Sequence, residues 1–600
     1  MIQNLEKTNN LLDLFEQSTD IFKDRPLFGT KNKTSGQYEW LSYGAVRKRT
    51  DNFRSGLMSL GITSSDVVGI IANNRTEWAV AAFATFGLNG RFVPMYENEI
   101  YTTWHYIIKN AEIRFLLVST REIYDKVKGL VDEIDTLEFV YCIDCEDMPN
   151  SMKALEEAGV QNPTASESPS PDDIAVLIYT SGTTGDPKGV LLSHNNLRSN
   201  ALGGFHLYPI FNEDAVSLSI LPWAHSYGQV AELYNWFQFG GKIAFMESVD
   251  TLAEDMKTVK PTFILGVPRI FNKIYDTIFA TMKEKGGLVE KLFDMSVKTA
   301  GKKRKQTDPK RFSLYDKTKL AIADKLVFSK IRSIFGGKLM GALTASALMN
   351  KEVSAFFGDA GIPVYDCYGL TETSPAITMN SPGANRPGSV GRALEKVMIK
   401  IDSSVVNDGR NDGEILVKGP NVMQGYFKKP EATRAIMTDD GWIRTGDRGK
   451  LDKDGYLWIT GRIKEQFKLE NGKYVFPAAI EEEIRLLPYI ENAMIYGEGK
   501  HYNVCLVLPN CEILIRTAKE LNLKTKVQKL INSPVVQEFI SKEIQAHLEG
   551  KFGRYEIPRK FIFSNETFTI DNGMLTPTLK LKRRNVVEKY KEKIEALYTA

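Results

Sequence analysis

Through residues 1–160, apolar runs of strand length alternate with stretches of helical length. Val67–Ile71 reads VVGII, Phe115–Val118 reads FLLV, and residues 78–88 form the longest apolar stretch. Strands that are apolar at every position need cover on both faces. Strand–helix alternation supplies that cover as βαβ units around a parallel sheet. The 78–88 stretch carries Thr and Gly and is too short to cross a bilayer, so it predicts a buried helix. Six hundred residues exceed what one hydrophobic core holds, so at least two domains are expected.

The texture then changes along the chain. Residues 162–173 (NPTASESPSPDD) read as a surface linker that delivers the chain into an apolar strand at 174–179. More α/β pattern follows to about residue 385. From 386 to 461, short strands at 397–401, 414–418 and 457–460 are separated by Asn-Asp-Gly and Asp-Gly turns, which predicts an all-β subdomain. Beyond 465 an amphipathic helix at 478–487, a strand at 504–508 and a charged helix at 583–597 predict a smaller α+β domain.

Composition excludes some classes. Lys plus Arg number 77 and Asp plus Glu 74, so the chain has no overall preference for polyanions and a nucleic-acid role finds no support. The N-terminus lacks a continuous apolar segment of signal-peptide type. The five cysteines, with Cys142 and Cys145 read as incidental thiols beside a strand, point to a reducing, cytoplasmic setting without structural metal. One stretch departs from the average: 298–332 carries 12 basic residues against Asp308, Asp316 and Asp324. It reads as a solvated helix face, or as a surface drawn to an anionic membrane.

The sharpest motif is YTSGTTGDPKGV at 179–190. It follows an apolar strand and packs Thr180, Ser181, Gly182, Thr183, Thr184, Gly185 and Lys188 into one turn. Glycines let backbone N–H groups converge on a phosphate, the hydroxyls add donors, and Lys188 adds a point charge. A Walker A loop needs Ser or Thr directly after its lysine for Mg²⁺; here Gly189 follows Lys188, so that reading fails.

This loop resembles the signature of the adenylate-forming (AMP-binding) superfamily, and further motifs follow in the family's order. LPWAHSYG at 221–228 is similar to the second motif, which implies a role for His225 near the bound acid and triphosphate. LTASA at 343–347 resembles the adenine-side loop and implicates Ala345, Ser346 and Ala347, with Ala345 standing where many relatives carry Gly. DCYGLTE at 366–372 resembles the YGxTE motif. The resemblance gives nucleotide contacts to Asp366, Tyr368, Gly369 and Thr371, and Mg²⁺ to Glu372. TGD at 445–447 gives the ribose hydroxyls to Asp447, and GRIK at 461–464 gives a nucleotide contact to Arg462 and a hinge to Lys464. NGMLTPTLKLKR at 572–583 resembles the last motif, whose lysine closes over the carboxylate and α-phosphate. Lys580 is the matching position and Lys582 the alternative.

The likeness is to the long-chain fatty acyl-CoA synthetase branch, which tends to have an extended segment after GVPR, as at 270–335 here. It implies an α/β fold. The large N-terminal domain would have two α/β/α Rossmann-like subdomains (1–385) and a β-barrel subdomain (386–461). A hinge (462–464) and a small mobile α+β domain (465–600) complete it. It implies ATP, Mg²⁺ and CoA, a fatty acid as partner, and reaction through an acyl-AMP. His225, Thr184, Glu372 and Lys580 take the catalytic roles. Delivery to a carrier protein, release as acyl-AMP, and a non-catalytic binder are the competing readings. Acyl chain length and oligomeric state are not legible at this level.

Overall fold

A computed structural model gives the arrangement of residues 5–180, 186–305, 313–347, 349–405, 412–463, 465–511, 513–515, 530–569, 572–576 and 581–599. The chain divides into two compact units. One comprises Met1–Pro268, Met282–Ile399 and Val417–Ile443; the other comprises Arg269–Thr281, Lys400–Leu416 and Arg444–Ala600.

The first unit is built on two sheets. In the seven-stranded sheet, Ile174–Thr180, Arg91–Met95, Val67–Ile71, Phe115–Val118 and Phe139–Cys142 run parallel in that order. Lys188–Ser193 returns antiparallel beside Ile174–Thr180, and Gly425–Tyr426 adds an edge beside it. Every residue of Val67–Ile71 and Phe115–Val118 is buried, as continuous apolar strands require. The 78–88 stretch is the buried helix Thr76–Phe86. Helices Tyr43–Ser59 and Met152–Gln161 approach so closely that a Cβ on Gly159 would lie 1.9 Å from the Asn52 carbonyl oxygen.

The nine-stranded sheet has a parallel centre in the order Val364–Gly369, Gly341–Thr344, Phe263–Gly266, Val216–Ser219, Lys242–Phe245 and Pro26–Lys31. From Val216–Ser219 the chain first crosses to one side, to Lys242–Phe245, and then to the other, to Phe263–Gly266. That reversal is a topological switch point, and ligands of open α/β sheets bind beyond the carboxyl ends of such strands.

In the second unit lies the greater part of a four-stranded sheet ordered Met398–Asp402, Gly413–Lys418, Ile443–Leu451 and Leu457–Arg462. A three-stranded sheet follows: Ile490–Tyr496, Val504–Pro509 and Lys560–Phe563. Its strands alternate. Ala493, Ile495, Cys505 and Val507 pack with helices Pro477–Ile484 and Pro534–Leu548, while Met494, Val504 and Leu506 pack with Arg583–Thr599. Period-two alternation thus buries both faces of one sheet.

One expectation is corrected. Cys142 and Cys145 are joined as a disulfide rather than standing as free thiols. The turn leaving Phe139–Cys142 brings their Cα atoms to 5.4 Å, within bridging reach. That pair therefore gives no support to a reducing compartment. Among the described residues no helix is long and apolar enough to cross a membrane.

Candidate active site

Three of the sequence motifs leave the carboxyl ends of parallel strands in the centre of the nine-stranded sheet. LPWAHS follows Val216–Ser219, the 345–347 loop follows Gly341–Thr344, and Tyr368 to Glu372 close Val364–Gly369 and continue past it. Topology alone brings His225, Ala345 and Thr371 to the switch-point edge.

The loop after Val216–Ser219 is pinned by side-chain hydrogen bonds. Asn74 Nδ2 donates to the Leu221 carbonyl at 2.7 Å and to Ser219 Oγ at 2.8 Å, while its Oδ1 accepts the Trp223 N–H at 2.7 Å. Trp223 Nε1 donates to Glu232 at 2.8 Å, and Ser217 and Ser219 donate to the same carboxylate. His225 Nδ1 accepts the Tyr227 N–H at 3.1 Å, so the neutral ring carries its proton on Nε2. Trp223 and Trp236 belong to the core: Trp223 packs against Trp78, Phe28 and Phe245, and Trp236 against Phe239 and Phe211.

The 368–376 segment is stitched to itself and then to its surroundings. Leu370 N–H donates to the Pro375 carbonyl at 2.9 Å, and Thr373 Oγ1 donates to the same oxygen at 2.6 Å. A Cβ on Gly369 would lie 1.8 Å from that carbonyl, so the close approach demands glycine. Asn200 and Asn421, both buried, each donate to the Thr373 and Ala376 carbonyls. Ser226 Oγ lies 3.5 Å from Thr371 Oγ1, which joins the second motif to this one.

Glu372 and Lys188 meet on one residue. The Tyr426 hydroxyl donates to Glu372 Oε1 at 2.6 Å, and Lys188 Nζ stands over the Tyr426 ring, 5.0 Å from its centroid. Tyr426 is placed by its pairing with Val190, two residues after Lys188, and the Met423 N–H donates to the Glu372 carbonyl at 3.0 Å. Thr180 and Lys188 are register partners across the mouth of the phosphate loop. Ser181, Gly182, Thr183, Thr184 and Gly185 lie outside the described residues.

Behind this strip, Thr344 and Asp366 are register partners at adjacent strand ends. Thr344 Oγ1 and Asp366 Oδ1 are buried and have no hydrogen-bond partner among the described residues. Burial pushes the Asp366 carboxyl well above its usual range. A polar group that reached these two atoms would satisfy both. In the adjoining loop Ser346, not Ala345, adopts the left-handed backbone (φ 75°). Alanine at 345 therefore carries no backbone penalty.

In the second unit, Arg462 Nε donates to Asp447 Oδ1 at 2.9 Å. The turn before Asp447 is held by Thr445 Oγ1 donating to the Ile415 carbonyl at 2.8 Å and by the Gly446 N–H donating to Glu414 at 3.2 Å. Gly446 has φ 71°, which suits glycine. Beneath lies Arg448, fully buried, paired with Asp412 and stacked 5.1 Å from the Phe476 ring. Lys464 and Lys580 lie outside the described residues. Leu575 and Leu581 pair in a bridge on either side of the segment that holds Lys580.

The AMP-binding enzyme model matches residues 15–427, and the AMP-binding enzyme C-terminal domain matches 464–600. The chain belongs to the AMP-binding enzyme family. Among its relatives, mouse long-chain-fatty-acid–CoA ligase 5 is 32 % identical across 98 % of this chain and 88 % of that protein. Guinea-pig (Cavia porcellus) long-chain-fatty-acid–CoA ligase 1 is 30 % identical across 99 % and 87 %. In Arabidopsis thaliana, the peroxisomal long chain acyl-CoA synthetase 6 is 30 % identical across 98 % and 86 %. Among solved structures, the adenylation domain of a carboxylate reductase from Mycobacterium chelonae superposes with a TM-score of 0.80 at 22 % identity. The match covers 100 % of this chain and 93 % of that one. The adenylation–carrier didomain of the Segniliparus rugosus enzyme, in complex with AMP, also gives 0.80, at 20 % identity and 100 % and 83 % coverage. The α/β adenylation fold with its C-terminal domain is therefore the fold of this AMP-binding enzyme.

Local sequence offered no sign of Tyr426, Asn74, Asn200 and Asn421. Tyr426 lies 54 residues from the carboxylate it holds, and Asn200 lies 173 from Thr373. None of them stands in a motif quoted for the family, and only the folded strand order brings them in.

Proposed function

We propose that this AMP-binding enzyme joins a long-chain fatty acid to CoA at the expense of ATP, through an acyl-adenylate, releasing AMP and pyrophosphate. The observation that carries the reading is the Lys188–Tyr426–Glu372 strip. It sets a cation and a carboxylate on one aromatic residue at the end of a phosphate-type loop.

Glu372 fits Mg²⁺. Among the described residues no group of three or more His, Cys, Asp or Glu makes an all-protein metal cage. A single carboxylate completed by water and nucleotide phosphates is the way Mg²⁺ is commonly held, and Glu372 would hold it so. When bound, Mg²⁺ supplies neutralising charge to the phosphate oxygens.

A carboxylate is a poor acyl donor because its leaving group would be oxide. Attack by the fatty-acid carboxylate on the ATP α-phosphorus makes that oxygen the bridge of a mixed carboxylic–phosphoric anhydride, and pyrophosphate departs. Catalysis rests on in-line alignment and on charge placed in advance. Lys188 and the 181–185 loop would bind the phosphates, Thr371 and His225 would orient the reacting groups, and Lys580 would neutralise charge at the carboxylate and α-phosphate. The unpaired pair of Thr344 and Asp366 would take polar edges of the nucleotide, with Tyr368 and the 345–347 loop beside the base. Asp447 would accept from the ribose hydroxyls, with Arg462 orienting it. In the second half-reaction the CoA thiol attacks the acyl carbon, the C–O bond to phosphate breaks, and AMP leaves. Following the family, we place a hinge at 462–464 that exchanges Lys580 for the segment after Lys464 between the two steps. A cytoplasmic location is part of the proposal.

Glu232 argues against an amino-acid substrate. Its carboxylate is consumed by Ser217, Ser219 and Trp223, and burial raises its pKa, so it is unsuited to pairing with an ammonium group. The test is AMP release measured across acids from acetate to oleate, with and without CoA. The reading expects CoA-dependent release that favours long chains. Release that is indifferent to CoA would favour the adenylate-only alternative.

A further inference from the structure

The 298–332 run becomes more specific once exposed apolar side chains are added to it. Among the described residues, the two most exposed large apolar side chains are Leu288 at 85 % and Leu314 at 81 %, and Tyr315 stands at 69 %. Ile322 and Leu326 are exposed as well. These five lie on helix Gly287–Lys305, helix Leu314–Ala323 and the turn that continues it to Phe328. A soluble helix normally hides such residues, and here they stand beside cations.

Helical spacing places them together. Asp316, Ala323 and Val327 are buried and mark the inward face of the second helix. Tyr315, Ile322 and Leu326, at i, i+7 and i+11, share one exposed flank about 100° round from that face, and Leu314 lies further round at the helix start. The Lys302–Asp316 ion pair, at 2.6 Å, fastens the end of the first helix to the start of the second. The basic end of the first helix is therefore held near the start of the second. Lys319 Nζ stands 4.2 Å above the Tyr315 ring, and Lys317 and Lys325 are exposed on the same helix and its continuation.

Three acids of the region are engaged, Asp316 with Lys302, Asp324 with Arg332, and Asp359 with Arg304, while Glu290 and Asp294 stand earlier on the first helix. Lys305, Lys317 and Lys325 are exposed and form no ion pair with an acid among the described residues. An apolar stripe flanked by lysines matches the layered chemistry of one surface, hydrocarbon beneath anionic headgroups. A nucleic acid would satisfy the lysines and leave Leu314, Ile322 and Leu326 in water. A second copy of this chain would bring the same lysines against themselves.

We propose that this helical hairpin docks the enzyme on an anionic bilayer, with Leu314, Tyr315, Ile322 and Leu326 entering the interface and the lysines meeting phosphate headgroups. The inference rests on the fatty-acid reading only in that the bilayer is where such a substrate partitions; binding is measured separately.

The test is flotation of the full chain with phosphatidylcholine vesicles, with and without phosphatidylglycerol, at low and high salt. Binding is expected only with the anionic lipid and is expected to weaken with salt. The Lys317→Gln/Lys325→Gln variant should partition roughly 25-fold less, at about fivefold for each lysine. The Ile322→Ser/Leu326→Ser variant should lose binding while retaining wild-type AMP release with a short, freely soluble acid. Equal binding to both vesicle types, or binding unchanged in both variants, would overturn the proposal. So would lysine variants that alter self-association or RNA retention instead of flotation. AMP release without vesicle binding would sink this inference and spare the ligase reading; vesicle binding without AMP release would do the reverse.

Discussion

Replacing Tyr426 with Phe removes one hydroxyl and tests how Glu372 is held. The ring stays beneath Lys188, so the cation's seat is preserved, while the 2.6 Å hydrogen bond to Glu372 Oε1 is lost. Burial, and then the Glu372 charge itself, push the Tyr426 phenol up, so it remains a proton donor through any practical assay range. A hydrogen bond to a charged acceptor contributes about 1.5–3 kcal/mol, or about 10- to 150-fold. Groups that orient a metal-binding carboxylate alter metal affinity by about 10- to 100-fold. Glu372 is partly exposed, which places the expectation at the lower end of both ranges. The Mg²⁺ concentration that gives half-maximal AMP release should rise about tenfold in the variant, with kcat recovering at saturating Mg²⁺. Tyr426→Leu, which also removes the ring, should add about a two- to fivefold rise in the KM for ATP through loss of the cation–π contact. An unchanged Mg²⁺ dependence in Tyr426→Phe would refute the assignment of Glu372 as a carboxylate positioned for the metal.

Three further outcomes follow from the packing and the motifs. Burial lowers the His194 imidazole from 6.5 to about 3, while its Nδ1 accepts the Leu11 N–H at 3.3 Å. The folded value lies below the unfolded one, so this stability is present above pH 6.5 and is lost as pH falls toward 3. About 2 kcal/mol should go between pH 7 and pH 5. His194→Asn keeps an acceptor and should shrink the pH-dependent shift of the urea midpoint, followed by the fluorescence of buried Trp78 and Trp223; equal shifts in both proteins would count against it. Gly159→Ala forces two packed helices apart against the Asn52 carbonyl and should cost about 1–3 kcal/mol in the same unfolding assay, an unaltered midpoint being the contrary result. Lys580→Ala should abolish ATP–pyrophosphate exchange yet retain CoA transfer from supplied acyl-AMP, and equal loss of both steps would break that division of labour.

Much of the architecture is legible in the sequence because its carriers are local. VVGII and FLLV are apolar at every position, so they had to be covered on both faces, and the parallel centre of the seven-stranded sheet follows. The motif residues announce themselves as dense clusters of rare combinations. What escapes is what depends on sequence-distant partners. Tyr426 reads as an ordinary aromatic until its strand pairs beside Lys188–Ser193. Asn200 and Asn421 stand in no motif, and only the fold brings both to donate to the same two carbonyls. The Cys142–Cys145 bridge is not legible in the CxxC, because spacing alone does not say whether a turn brings two thiols into bridging geometry. The membrane-like hairpin was visible as charge, whereas its exposed Leu314 and Ile322 needed the helix faces to be known.

The central claim is that a fatty-acid oxygen attacks the α-phosphorus of ATP before the thiol arrives. Palmitate carrying ¹⁸O in its carboxylate, turned over once with ATP, Mg²⁺ and CoA, tests it directly by mass spectrometry of the products. The account predicts one ¹⁸O atom in AMP and none in pyrophosphate. AMP without label, or label in released phosphate, would contradict it.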